Sequence, residues 1–308
     1  MTQKAPSQRM KLGLVLDTDE GSLQGKAPSF RDLQGIAQMA EHVGFDSLWL
    51  ADHLIFRFPG QEERGTWEAF TMLGALAAVT ERIQIGPLVA CTSFREPALL
   101  AKMADTLDEI SSGRFILGLG AGWHQPEYEA FGYPFDHLAG RFEEALQIIV
   151  PLLREGHVDF QGQYYQARNC VLRQRGPSPS GPPILIGARR PRMLQLVARY
   201  ADAWNTVWHT DPAIVQERYA EFKEICTATG RDPAAIELTA GTLVQLPQSA
   251  EKTAAFTEKV IAGTLEEIAD RLRGFADVGV THLMIASEPS GAASVEQFGR
   301  IVELLHTT

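Results

Sequence analysis

Short apolar runs alternate with amphipathic stretches along the whole chain, and the alternation predicts a repeated strand–helix unit. Residues 11–16 (KLGLVL), 47–51, 83–89, 115–119, 183–187, 203–207, 236–244 and 281–286 are apolar at nearly every position. That is the pattern of parallel strands buried on both faces. Stretches at helical spacing follow them, over 29–43, 67–80, 96–111, 140–154, 191–200, 212–229, 265–278 and 295–305. In the first of these Leu33, Ile36, Ala37, Ala40 and Val43 share a face, Ser29 or a neighbour caps the start, and Gly44 stands where a C-terminal cap is expected. Residues 158–172 read instead as a hairpin turning near Gly162, residues 245–253 as a polar insertion, and residues 54–65 and 124–134 as loops. Eight strands, each followed by a helix, predict an α/β fold of the (β/α)8 TIM-barrel class, with insertions after helix 4 (the hairpin) and after strand 7. No linker interrupts the rhythm. The expectation is a polar, flexible tail over residues 1–9 and a single barrel domain over 10–308.

Composition narrows the function classes. The 308 residues are 45% hydrophobic and 21% charged, the balance of an ordinary globular protein. A formal net charge of −10 with no basic block argues against nucleic acid or an anionic membrane as partner. No apolar run is long enough to span a bilayer, and the first nine residues carry no signal-peptide core. Cys91, Cys170 and Cys226 are odd in number and lack metal-site spacing, so a reducing cytoplasm is expected. The absence of HxH, HExxH and GxSxG patterns argues against a metal site and a serine hydrolase.

Active sites of such barrels lie at the carboxyl ends of the strands. That rule selects Asp17, Asp52 and His53, residues 91–95, 120–124, 187–190 and 205–209, and Ser287 with Glu288. His53 is the leading candidate, because its side chain titrates near neutrality and a carboxylate, Asp52, is its neighbour in sequence. The same pair could simply cap the loop that follows. Gly118, Gly120 and Gly122 end the fourth strand in bare backbone, where a flat ring or phosphate could approach, or where the chain only has to turn. A dinucleotide fingerprint is excluded, since Trp123 stands where its third glycine belongs and the residues after it read as loop. In Gly187-Ala-Arg-Arg-Pro-Arg, Pro191 stands at the first turn of a helix and Arg189, Arg190 and Arg192 crowd its positive pole. An anion would offset that charge, and a solvated surface face would also accommodate it.

These residues carry a family resemblance. GFDSLWLADHL (44–54), IQIGPLVACTSFREPALLAKMADTLDEISSGRFILGLGAGW (83–123) and PPILIGARRPRMLQLVARYADAWN (182–205) are similar to the luciferase-like monooxygenase superfamily, most of all to its F420-dependent branch. The resemblance implies a TIM barrel that binds coenzyme F420 or, as the alternative, FMN. Asp52 and His53 would lie against the ring, with His53 as catalytic acid/base. Leu88 and Val89 would form a cis peptide behind it, and Gly120, Ala121 and Gly122 would face it. Gly187, Ala188, Arg189 and Arg190 would bind phosphate, and Asn205 and Thr206 would line the same cavity. Trp123 stands where some F420-dependent sugar dehydrogenases have a glutamate, which argues against sugar oxidation. A small-molecule substrate would meet Phe56, Trp123 and Trp208, with Phe58, Trp67, Tyr128 and Phe131 making the surroundings aromatic.

The leading expectation is F420-dependent hydride transfer. An FMNH2-dependent monooxygenase served by a flavin reductase is the alternative, and a non-catalytic flavin-binding barrel is the reading from another class. A homodimer is the assembly the resemblance implies.

Overall fold

In the computed structural model, residues 9–21, 26–173, 175–247 and 260–306 are described. The first half contains β1 (Lys11–Leu16), α1 (Phe30–Val43), β2 (Ser47–Leu50), the short β3 (Ile55–Phe56) and β4 (Arg64–Gly65), and α2 (Ala69–Val79). It continues through β5 (Gln84–Pro87), β6 (Ala90–Cys91), α3 (Pro97–Ile110), β7 (Leu117–Gly120), α4 (Gln125–Phe131) and α5 (Leu138–Glu155). The second half holds β8 (His157–Gln161), β9 (Gln166–Val171), β10 (Ile184–Gly187), α6 (Pro191–Tyr200), β11 (Ala203–Trp208) and α7 (Pro212–Thr229). It closes with β12 (Glu237–Gln245), β13 (Ile261–Ala262), α8 (Leu265–Asp277), β14 (His282–Glu288) and α9 (Ala292–His306).

The parallel strands pair in the order β5-β2-β1-β14-β12-β11-β10-β7-β6. Because β5 and β6 are two halves of one strand, interrupted at Leu88 and Val89, this order is a ring. Ile85 bridges to Phe115, and Ala90 and Cys91 pair with Leu119 and Gly120, so the broken strand joins the fourth on both sides of the break. The result is an eight-staved (β/α)8 barrel.

Alternate residues of each strand face opposite ways, which separates two cores. Trp49, Ile116, Leu185, Ala203 and Met284 fill the barrel, with Val15, Leu88 and Val89 against them. The larger cluster, including Leu14, Leu48, Ile85, Leu117, Ile186 and Leu283, lies between barrel and helices. Toward the amino end of the barrel the filling turns polar. Trp49 Nε1 donates to Ser47 Oγ at 2.7 Å, and Ser47 Oγ is 2.7 Å from His282 Nε2. A side chain on Gly13 would sit 2.5 Å from both Ser47 Oγ and Trp49 Nε1, so glycine is what lets this network cross the lumen. Burial pushes the His282 imidazole down to about 3, which keeps it neutral.

Several elements differ from the sequence expectation. Residues 125–131, expected as loop, form α4, opened by a proline in the first turn and closed by Gly132 at φ +77°. Seven residues are too few for helical periodicity to show. Within 54–65, Ile55 and Phe56 pair antiparallel with Gly65 and Arg64. The expected hairpin forms between β8 and β9 and pairs with no barrel strand. Helix α9 starts at Ala292, three residues before the expected 295. The insertion expected over 245–253 lies outside the described residues from 248 onward, as does the expected tail over 1–8. Arg9 is described, and it grips Asp46 with two hydrogen bonds of 2.7 and 3.1 Å.

Candidate active site

His53 follows β2 at the carboxyl end of the barrel. Its Nδ1 lies 2.9 and 3.2 Å from the two carboxylate oxygens of Glu127, on α4. Glu127 is 2% exposed and also accepts the Leu54 backbone N–H at 2.9 Å, so its own position is fixed. A carboxylate only accepts, so Nδ1 carries the proton of this bond. The other ring nitrogen, Nε2, makes no hydrogen bond to the described protein. An oriented imidazole with one nitrogen anchored and one open is the geometry of a group that gives or takes a proton.

Glu127 was not among the candidates the sequence offered, because it falls in a stretch expected as loop. Pro126 and Gly132 at helix-start and helix-stop positions were the available signal. Asp52, expected to act with His53, turns the other way. It holds Arg95 through two bonds of 2.7 and 3.0 Å and accepts the Cys91 N–H at 2.9 Å. Arg95 also binds Glu68 and lies 4.4 Å over the Phe70 ring. Asp52 is therefore part of a buried ion-pair frame that sets the ends of the second and third strands.

An aromatic wall surrounds His53. Phe56 lies 4.6 Å and Trp123 5.5 Å from its ring centre, and Phe58 stacks on Trp123 at 6.3 Å. Trp123 is 60% exposed at the mouth. His124 pins the wall from below: the Arg57 N–H donates to its Nε2 at 3.1 Å. That bond requires an unprotonated Nε2, and burial, with Glu127 opposing it, lowers the His124 pKa. Tyr128, expected among the lining aromatics, is fully buried, donates to the Ala121 carbonyl at 3.0 Å and lies 2.9 Å from Cys91 Sγ. Burial pushes the Cys91 thiol up to about 12, which excludes a thiolate nucleophile at neutral pH. Trp67 donates to the Pro28 carbonyl at 2.7 Å.

The peptide joining Leu88 and Val89 is cis. The half-buried Val89 takes the space that three glycines leave open. A Cβ on Gly120 would lie 2.6 Å from Val89 Cγ2, and Cβ atoms on Gly118 and Gly187 would lie 3.3 Å from Val89 methyls. Gly122, at φ +80°, leaves room for the Tyr128 hydroxyl. The bare backbone after the fourth strand thus seats protein side chains, and what it presents toward the mouth is Val89.

Past β10, Ala188 is buried, its N–H bonding to Asn205 O at 3.2 Å and its carbonyl accepting Trp204 Nε1 at 3.0 Å. Arg189 and Arg190 are exposed beside the first turn of α6, which has no side-chain cap. Arg192 pairs instead with Glu143 at 3.2 Å. Asn205 faces the barrel interior and bonds Thr239 Oγ1 at 3.0 Å. Thr206 is wholly enclosed and lines no open surface. Asp17 stands at the mouth just after β1, its carboxyl pushed up to about 6 by burial and by Asp19. Among the described residues no cluster of His, Cys, Asp and Glu is arranged to hold a metal ion, and no helix is long and apolar enough to cross a membrane.

The pyrimidine monooxygenase RutA of Enterobacter cloacae subsp. cloacae is 36% identical over 218 residues, covering 67% of this chain and 58% of that protein. RutA of Shigella flexneri serotype X is 34% identical over 253 residues, 78% of this chain and 63% of its own length. The match therefore spans less than two thirds of either relative. Among solved structures, an F420-dependent secondary alcohol dehydrogenase superposes with a TM-score of 0.81 at 19% identity, over 97% of this chain and 99% of its own. The monooxygenase RslO1 from Streptomyces bottropensis gives 0.77 at 21% identity, over 96% and 97%. At these identities the structures establish the fold. The family model for luciferase-like monooxygenases matches residues 10–256, and the chain belongs to that family.

Proposed function

We propose that this protein is a flavin-dependent monooxygenase acting on a small planar substrate, with His53 as its proton-handling residue. The observation that carries the reading is the His53–Glu127 pair: a buried carboxylate holds Nδ1 and leaves Nε2 open within an aromatic wall at the barrel mouth. The names of the relatives that match most of the chain favour oxygenation over the F420-dependent hydride transfer expected from the sequence, and suggest a pyrimidine-like ring as substrate.

The residues present fit a ring cofactor with a phosphate. Val89 gives an apolar surface for the ring, and Arg189, Arg190 and the uncapped amino end of α6 supply donors and positive charge for the phosphate. Reduced FMN, when bound, supplies the electrons for oxygen chemistry. The chain's contribution is to orient the substrate against Phe56 and Trp123, to exclude water with Phe58, and to move one proton at His53 Nε2 while Glu127 steadies the imidazole. A second reading, F420-dependent hydride transfer, is favoured by one observation: two exposed arginines suit a cofactor whose tail carries more negative charge than FMN.

Titration of the apoprotein with FMN and F420, each oxidised and reduced, separates the two. Tighter binding of reduced FMN by about a hundredfold supports the monooxygenase, and the reverse order supports hydride transfer (a gap of about 2.7 kcal/mol). Replacing His53 by Ala should abolish turnover with cofactor affinity retained. If turnover survives, the proton-handling role fails. A wild-type protein that binds the cofactor but turns over none of the planar heterocycles offered would instead favour a flavin-binding carrier.

A further inference from the structure

On the stave opposite His53, β11 carries one residue too many. Asn205 pairs with Thr239 and Trp208 with Gly241, so three steps on β11 match two on β12, and the extra residue makes a β-bulge. Within it Val207 has φ +74°, a left-handed conformation that a β-branched side chain adopts only under constraint. The constraints are visible. The Asn205 side-chain oxygen accepts the Val207 N–H at 2.9 Å, the His209 ring bonds the Thr206 carbonyl at 2.9 Å, and the His209 N–H donates to Gly241 O at 2.8 Å. Without the bulge, alternation would turn Trp208 toward the helices. With it, the indole lies on Gly241, where an added Cβ would meet Trp208 Cε3 at 2.7 Å. Trp208 remains half-buried, with its indole against the Gly241 backbone and part of it exposed.

Val89 and Trp208 share a design: each lies in an irregular stretch of strand and packs where glycine leaves room, Val89 against Gly118, Gly120 and Gly187 and Trp208 against Gly241. His53 and Trp208 follow the second and sixth of eight staves, so they face each other across the mouth. From this we infer that Trp208 is a stacking platform for the tricyclic ring of the cofactor, and that the β11 bulge exists to present it. The inference rests on the ring-cofactor reading above and adds Trp208 as a second surface for the ring besides Val89. It also gives Asn205 a different part from the one expected. Its side chain holds the bulge and acts on the ring only through Trp208, as a positioning residue.

The test follows the emission and affinity of bound FMN, and of F420 in parallel, in wild type, Trp208→Leu, Trp208→Phe and Gly241→Ala. Indole stacked on a flavin quenches its emission. Wild type should therefore bind a dim ring, and Trp208→Leu should brighten it several-fold while raising Kd about tenfold or more. Gly241→Ala should do the same with Trp208 still present, because its methyl displaces the indole. Trp208→Phe keeps a ring on the platform and should hold Kd within about threefold while brightening the emission. Unchanged emission and Kd in Trp208→Leu would overturn the platform and leave the ring-cofactor reading standing. Failure of wild type to bind either ring would overturn both.

Discussion

Glu127 shows how much chemistry can hang on one side chain. As a carboxylate it can only accept, so it fixes the proton of His53 on Nδ1 and leaves Nε2 as a lone pair in the neutral ring. In Glu127→Gln the amide oxygen can still take the Leu54 N–H, but the amide nitrogen would donate to Nδ1 and drive the ring proton to Nε2. The fold should survive and cofactor affinity should stay within about twofold, while turnover falls roughly a hundredfold or more, the scale of lost acid–base catalysis. Turnover close to that of wild type would show that Glu127 merely packs. From sequence, His53 could be selected by its place after a strand, whereas Glu127 could not, since 74 residues separate the partners.

At the scale of elements, boundaries were readable wherever a cap or periodic face marked them. Ser29 forms a reciprocal capping box with Asp32, and Gly44 closes α1 at φ +99°. Helix α4 carried only its flanking signals, Pro126 and Gly132, being shorter than the two turns over which a face repeats. The hairpin between β8 and β9 was readable from its pattern, but its anchor was not. Glu144, on α5, accepts the backbone N–H groups of Gln163, Tyr164 and Tyr165 at 2.7, 2.8 and 3.0 Å. Those three bonds hold its carboxyl below the usual glutamate range, although burial opposes them. Glu144→Ala should leave the barrel's stability nearly unchanged and loosen the hairpin by about 1–3 kcal/mol. Hydrogen exchange should show faster exchange of those three amides, with the β12 and β14 amides unaffected. Equal protection in both proteins would mean that the turn holds itself.

For the whole molecule, the buried Trp49–Ser47–His282 network ties stability to pH. His282 titrates near 6.5 in an unfolded chain and near 3 in the folded one. As pH falls below about 6.5, the unfolded state therefore takes up a proton that the folded state refuses, and stability is lost down to about pH 3. His124 acts in the same direction. Asp17 acts in the opposite one, its raised carboxyl favouring the folded state as pH falls through 6. The His282 part is isolated by difference. The unfolding free energy of wild type, from urea titration, should fall more steeply between pH 6.5 and 4 than that of His282→Gln, by a few kcal/mol at the acid end. Parallel slopes would mean that His282 is protonated inside the barrel.

What the sequence determined by itself was the barrel and the end of it that works. Eight apolar runs of strand length, each followed by an amphipathic stretch, admit few other folds, and parallel strands aim their carboxyl ends at one mouth. His53 and the arginines after β10 could be placed there by counting, and Val89 by the family resemblance. Only the tertiary structure decided which side chains meet. It gave His53 to Glu127 and Asp52 to Arg95, filled the glycines with Val89, and turned Trp208 inward. The reason is physical: periodicity reports which way a residue faces along its own element. Partnership across the mouth depends on the register between staves, a broken strand and a single extra residue in β11, none of which changes the apolar pattern.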